Sequence, residues 1–479
     1  MKRLNSLMGN ATIQSLKKGR VFRQDFWPLL ILILTLALRL ASEATANASF
    51  FLLSAYALSG RSQAIQALAL SWLFSMLSGG EKGGLAPSAS QAAIGRYAVI
   101  AAAALSILLR NVFSSSTSRV SQPVITTLFF GVFILFHSCL FSVDVEVSVL
   151  KTIVWMVAML TLFSAWEGLS AWERQWLQAQ LIGLLMGILL CSLPLLFLPL
   201  GYITNGTGFQ GVLNHPQGFG PVMALLCAFV IVGFLAQPLP RWRDLLLAVI
   251  CLVLVVMSQA RTAGLALVLG VPIAVTVAPA MMKHSAQSAL PGLRNTKMLL
   301  MLLSLILSAL AGLALGKGEE LANVLESYLS KRSGSSNLSE AYESSRGGLI
   351  NAMWDNINSQ PLTGIGFGIA SKPWEMEVTR DPNLGLPTGA AIEKGVLPVA
   401  VLEEIGIPGF VLFLGWLWIL IQRAGRRGVT ELALVATILL FNFGESTLFS
   451  TSGFGMINLI VLAWAVTFPR QLSSVRFHA

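Results

Sequence analysis

The stretch "DLLLAVICLVLVVMSQARTAGLALVLGVPIAVTVAPAMM", residues 244–282, contains two apolar runs separated by a short polar break. Each run is about 15 to 20 residues long, close to the length of helix that crosses the hydrocarbon core of a bilayer. A helix satisfies its own backbone hydrogen bonds, which a lone segment in lipid must do. The break "SQAR", residues 258–261, therefore predicts two spans joined by a tight connection at one membrane face.

Similar apolar runs recur along the whole chain, which is 55% hydrophobic and only 11% charged over 479 residues. A soluble core could bury one or two such helices but not a dozen. We therefore predict an all-α polytopic membrane protein with about 12 to 14 transmembrane helices. The candidate spans are residues 27–41, 44–59, 64–78, 97–113, 123–142, 149–166, 176–200, 218–236, 244–258, 262–280, 298–316, 396–421, 430–449 and 454–468.

Basic residues are concentrated at the N-terminus and in alternate connections, which by the positive-inside rule places both termini in the cytoplasm. The net charge of +10 is then an orientation signal that favours contact with membrane lipids and not with nucleic acid. The long connection faces away from the cytoplasm and is expected to contain amphipathic helices. The predicted parts are a cytoplasmic N-terminus (1–26), a helix bundle (27–316), the long loop (317–395), C-terminal spans (396–468) and a cytoplasmic tail (469–479).

A broken turn precedes one of the outward-facing span ends, in "GFQGVLNHPQGFG", residues 208–220. Pro216 and Gly218 interrupt the backbone there, which leaves nearby side chains and carbonyls able to line a cavity. Gln210, Asn214 and His215 are accordingly candidates for binding substrate. An imidazole at such a position suits proton transfer or phosphate contact, although a lone histidine is more often structural.

Arg261 stands near the outer end of a span, in "MSQARTAG". A charged group at that depth is costly unless it pairs, binds a ligand or extends to the interface. Arg261 is therefore a functional candidate, with extension to the membrane surface as the simpler alternative.

The long loop contains a helix signal in "SSRGGLINAMWDNINSQPLTGIGFG", residues 344–368. A serine can cap the helix, apolar residues recur at steps of three and four, and Pro361 follows its end. Arg346, Gly347 and Gly348 fall in the first turn, where free N–H groups favour an anion and a guanidinium fits phosphate. A solvated loop arginine is the alternative for Arg346. The "GIGFG" segment predicts a tight turn towards the bilayer.

Acidic residues surround the entrance to the span that follows the long loop. Glu393 and Lys394 precede it, and Glu403 and Glu404 lie a few residues inside. Glu404 is a candidate for either function or hydrogen bonding between helices, because buried acids are costly without partners. Glu445, near the outer end of a later span, is a second acidic candidate.

The ordered set of "GFQGVLNHPQG", "SQARTAG", "SRGGLINAMW" with "PLTGIGFG", and "LEEIGIPGF" resembles the bacterial O-antigen ligase and O-antigen polymerase superfamily, over residues 180 to 420. The resemblance implies a metal-independent inner-membrane glycosyltransferase without a cofactor. Its donor would be a glycan on undecaprenyl pyrophosphate, and its acceptor a hydroxyl of a growing polysaccharide or a lipid in the periplasm. A chain-length regulator would be a further partner.

The resemblance also implies roles for particular residues. Arg261 and Arg346 would hold the pyrophosphate, and the region of His215 would line the same cavity. Family ligases commonly carry a histidine late in the long loop, and this chain has none between His284 and His478. Glu393 is therefore the candidate base and Lys394 its phosphate or carboxylate partner, and the departure favours a polymerase over a lipid A core ligase.

Three other functions are compatible with the sequence. A metal-dependent glycosyltransferase could use Asp144 and Glu146 in "SVDVEVS". A transporter or flippase for small molecules or lipid-linked glycans would place ionisable residues near the bilayer midplane and commonly shows two related halves. A membrane scaffold would leave Arg261 and Arg346 without a role.

Overall fold

Apolar α-helices dominate the computed structural model, which describes residues 30–77, 86–87, 92–112, 120–204, 206–239, 241–283, 290–297, 300–301, 304, 347–380, 385–390 and 394–468. The all-α prediction is confirmed, since these residues contain almost no sheet and seven of their helices are long and apolar enough to cross a membrane. The helices are α1 (Leu30–Ala41), α2 (Glu43–Ala57), α3 (Arg61–Met76), α4 (Ala92–Val112), α5 (Gln122–Phe141), α6 (Val145–Glu167), α7 (Ala171–Ser192), α8 (Pro216–Ala236), α9 (Trp242–Met257), α10 (Arg261–Met282), α11 (Gly348–Ser359), α12 (Leu397–Arg427), α13 (Val429–Phe441) and α14 (Gly455–Val466).

The predicted spans coincide with helices α1 to α10 and α12 to α14, and local capping sets several of their ends. Asp144 begins α6 by accepting a hydrogen bond from the N–H of Val147 at 3.1 Å. Ser170 and Glu173 form a reciprocal capping box at the start of α7. The predicted span 298–316 lies outside the described residues, apart from residues 300, 301 and 304.

One predicted span is shorter than its apolar run. Residues 430–449 were expected to be helical throughout, but α13 ends at Phe441. The Asn442 side chain accepts hydrogen bonds from the N–H groups of Thr447 and Leu448, at 2.8 and 2.9 Å, and so folds the chain into a loop. Apolarity alone could not reveal this ending, because a single amide side chain causes it.

Several connections between helices meet at one end of the bundle, which we call the loop end. Backbone hydrogen bonds join the end of α3 to the turn before α8 (Asn214 N–H to Met76 O, 2.7 Å) and the start of α12 to the end of α13 (Leu397 N–H to Asn442 O, 2.8 Å). A two-stranded antiparallel hairpin, β1 (Val378–Arg380) and β2 (Pro387–Ala390), lies at the same end.

Helix α12 is kinked at Gly406, whose φ of 63° and ψ of −175° are strained for any residue with a side chain. Pro408 lacks the N–H that would bond the Glu404 carbonyl within the helix. The N–H groups of Ile365 and Gly366 bond the Glu403 and Glu404 carbonyls instead, each at 3.0 Å. The predicted glycine turn therefore packs against the kink, and its N–H groups bond the two carbonyls that lack a partner within the helix.

Helix α14 lies at the centre of the bundle, and all its residues are buried. It packs against α3, α6, α12 and α13. Its carboxyl end, away from the loop end, meets three arginines: Arg174 and Arg427 donate to the Thr467 carbonyl (2.6 and 2.8 Å), and Arg423 donates to the Val466 carbonyl (3.3 Å). These guanidinium groups satisfy carbonyls that no further helical turn could reach.

Candidate functional site

A cavity of about 480 Å³ opens at the loop end, within the size range of small-molecule sites. Its walls come from the N-terminal halves of α4 and α6, the start of α8, strand β2, the residues around the start of α12, and the loop between α13 and α14. Residues distant in sequence thus line one polar cavity at the loop end of the apolar bundle.

Three cationic side chains line this cavity, each from a different part of the chain: Arg96 of α4, Lys151 of α6, and Lys394 just before α12. The Nε atom of Arg96 is buried and has no hydrogen-bond partner among the described residues. The Lys151 Nζ atom lies 5.4 Å from the centre of the Phe367 ring. Such an arrangement can receive an anionic group that supplies the missing acceptors.

Glycines of the "GIGFG" turn allow the chain to approach Lys151 and α12 closely. A Cβ atom at Gly368 would come within 2.3 Å of the Lys151 side chain, and one at Gly364 within 2.6 Å of the Glu403 carbonyl oxygen. Both glycines also have positive φ angles, of 69° and 63°. The predicted turn is therefore present, and its glycines make room for the cavity lysine.

Lys394 lies in a buried ion network with two consecutive glutamates. Its Nζ atom is 2.7 Å from an oxygen of Glu403 and 3.1 Å from one of Glu404. The three residues are only 4%, 0% and 6% exposed, respectively. A single ammonium group therefore neutralises much of two buried carboxylates, since unpaired buried charges are strongly unfavourable.

The remaining oxygens of these glutamates tie the long loop to α12. Glu403 accepts from the Asn356 amide of α11 at 2.7 Å and from the Ser371 hydroxyl at 3.1 Å. Glu404 accepts from the N–H of Gly368 at 2.8 Å and also lines the cavity. The Glu404 side chain thus bonds the glycine turn and Lys394, and no bond to a neighbouring helix is seen among the described residues.

The loop between α13 and α14, residues 442–454, forms one whole wall of the cavity. Two hydrogen bonds hold this loop in place. The Asn442 side chain accepts from the Thr447 N–H, and the Trp155 indole donates to the Leu448 carbonyl at 3.2 Å. Glu445 lines the cavity from this loop, as do several hydroxyl side chains. The second acidic candidate therefore lies in the same hollow as the three cations.

The histidine turn lies beside the cavity and not in its wall. His215 caps α8, its Nδ1 atom accepting from the Gln217 N–H at 3.1 Å. Gln210 is 1% exposed and accepts from the Thr204 N–H at 2.9 Å, and Asn214 is exposed. None of these three lines the cavity, but Gln217 does.

Arg261 begins α10 at the loop end, directly after the tight connection that the sequence predicted. The next residue, Thr262, packs so closely on Gly444 that a Cβ there would come within 1.9 Å of its methyl group. Glu445 follows Gly444 and lines the cavity. Arg261 is thus a neighbour of the cavity wall, although it is not among the residues that line it.

Two predicted catalytic residues, Arg346 and Glu393, lie outside the described residues. The predicted helix beyond Arg346 is present as α11, with Met353 and Ile357 buried. Gly347 already has helical angles, with φ −56° and ψ −43°, and Gly348 is exposed.

Sequence reasoning missed Arg96, Lys151 and Gln217. The signal for the two cations was present, because Arg96 directly precedes the predicted span 97–113 and Lys151 lies inside 149–166. A charge at a span end is a functional candidate by the argument that selected Arg261. Gln217 carried no comparable signal, since only the packing of α8 against the other walls brings it to the cavity.

The acidic pair considered for a metal has other partners. Asp144 caps α6, and Glu146 pairs with Arg380 of β1 at 2.7 Å in an exposed ion pair. In the described part of the chain, no three histidine, cysteine, aspartate or glutamate side chains are grouped as metal ligands.

Seven apolar helices of bilayer length define a multi-pass membrane protein, and a cavity lined by charged residues lies at one end of its bundle. Residues 246–414 match the family model described as O-antigen ligase. The match confirms the resemblance to the O-antigen ligase and polymerase superfamily. No curated protein matches the chain significantly.

Proposed function

We propose that the chain transfers a glycan from undecaprenyl pyrophosphate to a hydroxyl group of a growing polysaccharide or a lipid, at the periplasmic face of the bacterial inner membrane. The observation that carries this proposal is the convergence of Arg96, Lys151 and Lys394 on one cavity. The O-antigen ligase family match supports a glycosyltransferase activity of this type.

The cations suit the charge that develops during transfer. The acceptor oxygen bonds to the anomeric carbon of the donor, the bond from that carbon to the phosphate oxygen breaks, and undecaprenyl pyrophosphate leaves with the electron pair. Fixed positive charge near the departing oxygen stabilises this transition state more than the ground state. Arg96 and Lys151 fit this role best, because Lys394 is already committed to two carboxylates.

A carboxylate accepts the proton that the acceptor hydroxyl loses. Glu393, next to Lys394, remains our candidate, and Glu445 in the cavity wall is the alternative. Glu393→Gln and Glu445→Gln variants separate the two. The enzyme should lose most of its transfer activity when the true base is replaced, because glutamine cannot take up the proton. Near-normal transfer in Glu393→Gln would eliminate it.

Within the superfamily we favour a polymerase or related polysaccharide transferase, because the long loop lacks the histidine common in ligases. A chain-length regulator is then an expected partner.

We also propose that the transfer needs no metal ion. A lasting loss of activity in EDTA would instead support the metal-dependent alternative.

The test compares Lys151→Met and Arg96→Leu with Lys372→Met, whose lysine forms an exposed ion pair with Glu375. Purified variants in proteoliposomes receive lipid-linked glycan extracted from host membranes, and released undecaprenyl pyrophosphate is measured. Each cavity variant should lose about 100-fold in rate, and the Lys372 variant almost nothing. Wild-type rates in both cavity variants would refute the proposed site, and glycan uptake without bond cleavage would indicate a transporter.

A further inference from the structure

The cavity lining includes both cationic and uncharged hydrogen-bonding side chains, and the 442–454 loop also contributes Glu445. Arg96 and Lys151 come from α4 and α6, whereas Gln217 comes from α8 and Thr451 from the 442–454 loop. Gln217 and Thr451 are uncharged, and each can both donate and accept hydrogen bonds. The charged wall suits phosphate oxygens, and the uncharged groups suit a neutral ligand rich in hydroxyls.

Gln217 and Thr451 also retain hydrogen-bonding capacity. Both are half-buried, and neither side chain bonds to another described residue. The backbone N–H of Gln217 is used in the His215 cap, but its carboxamide is not. Their polar side-chain atoms are therefore available to a ligand that enters the cavity.

The loop that carries Thr451 is held in place before any ligand binds. Asn442 fixes its first turn through the N–H groups of Thr447 and Leu448, and the Ser446 hydroxyl donates to the Lys394 carbonyl at 2.5 Å. Farther along, the Ser452 N–H bonds the Ser450 hydroxyl at 3.2 Å, which turns the chain on either side of Thr451. A preformed loop of this kind discriminates between ligands at little ordering cost.

We infer that Gln217 and Thr451 recognise the sugar next to the pyrophosphate and so set the donor specificity of this site. The inference rests on the proposed function. With about 480 Å³ of space, the cavity holds only the reacting end of a glycan beside its phosphates. Specificity at this site therefore applies to the proximal sugar and not to distant ones.

The test uses Gln217→Leu and Thr451→Val, which keep side-chain size and remove hydrogen bonding. Thr126→Val is the matched control, because Thr126 lies near the start of α5, away from the loop end, and bonds only to backbone carbonyls of its own helix. The affinity of each full-length variant in detergent is measured for two probes: undecaprenyl pyrophosphate, and the same carrier with its glycan, extracted from host membranes.

Each cavity variant should bind the glycan-bearing carrier about 3- to 10-fold more weakly than wild type and bind undecaprenyl pyrophosphate equally well. Equal losses for both probes, or unchanged affinity for both, would overturn the assignment. Failure of the wild-type protein to bind either probe would overturn the proposed function, and this inference with it. The control variant should match wild type throughout.

Discussion

Lys394 forms ion pairs with two buried carboxylates, those of Glu403 and Glu404. Removing one partner from a buried ion network leaves uncompensated charge, which typically costs about 3 to 5 kcal/mol. We therefore predict that Lys394→Met strongly lowers the unfolding temperature in detergent. The triple variant with Glu403→Gln and Glu404→Gln should recover much of the loss, because it removes the stranded charges as well.

The control for this prediction is Lys372→Met, which breaks an exposed ion pair with Glu375. Exposed pairs contribute about 0 to 1 kcal/mol, so its unfolding temperature should stay near that of wild type. Equal melting of the Lys394 and Lys372 variants would show that the buried network contributes nothing.

Arg261 and Arg346 give a second prediction for single residues. If both hold pyrophosphate, an alanine at either position abolishes transfer while membrane insertion stays normal. Lysine should also lose most of the activity, because a point charge cannot reproduce the planar fork of a guanidinium. Insertion is followed by membrane fractionation and transfer by released carrier; wild-type transfer in both alanine variants would disprove the pyrophosphate contacts.

At this scale the sequence revealed some of the site. Lys394, Glu404 and Glu445 could be selected because a charge beside an apolar run is conspicuous, and all three line the cavity. His215 was conspicuous too, yet its imidazole caps a helix. These residues differ from His215 because of long-range packing, which determines whether a polar side chain lines the cavity or bonds to a neighbouring backbone group.

Among the elements, the kink of α12 gives the sharpest prediction. A Cβ atom at Gly406 would come within 2.2 Å of the Leu362 carbonyl oxygen, and the backbone angles there suit only glycine. Gly406→Ala should therefore displace the 361–368 turn and destabilise the protein by about 1 to 3 kcal/mol or more. The measurements are the unfolding temperature and the rate of proteolysis in the long loop.

Gly415→Ala is the matched control, because it changes a glycine in the same helix with no atom within 4 Å of the added Cβ. It should leave proteolysis unchanged and stabilise the helix by up to about 1 kcal/mol. If both alanine variants behaved alike, the docking of the turn into the kink would not matter for stability.

Element positions were largely predictable, since an apolar run of bilayer length leaves few alternatives to a helix. The exceptions come from single residues. Asn442 ends α13 inside an apolar run, and Gly406 with Pro408 bends α12 within another. Hydropathy averages over such residues. The sequence therefore predicted neither the 442–454 loop in the cavity wall nor the kink of α12 that receives the glycine turn.

For the whole molecule, the positive-inside rule predicts that the loop end faces the periplasm. In a variant with its four cysteines replaced by alanine, Lys372→Cys should react with a membrane-impermeant maleimide in intact spheroplasts. Arg426→Cys, in the last turn of α12, should react only after permeabilisation. The reverse pattern would invert the topology and place the cavity in the cytoplasm.

The position of α14 dictates an order of assembly. Its neighbours α3, α6, α12 and α13 all precede it in the chain, so they enter the membrane while the groove that it will fill is still vacant. Until α14 arrives, Arg174 and Arg427 lack the terminal carbonyls that they bind in the finished bundle. Phe454, immediately before α14, lines the cavity. The cavity wall is therefore completed only after α3, α6, α12 and α13 have all been synthesised.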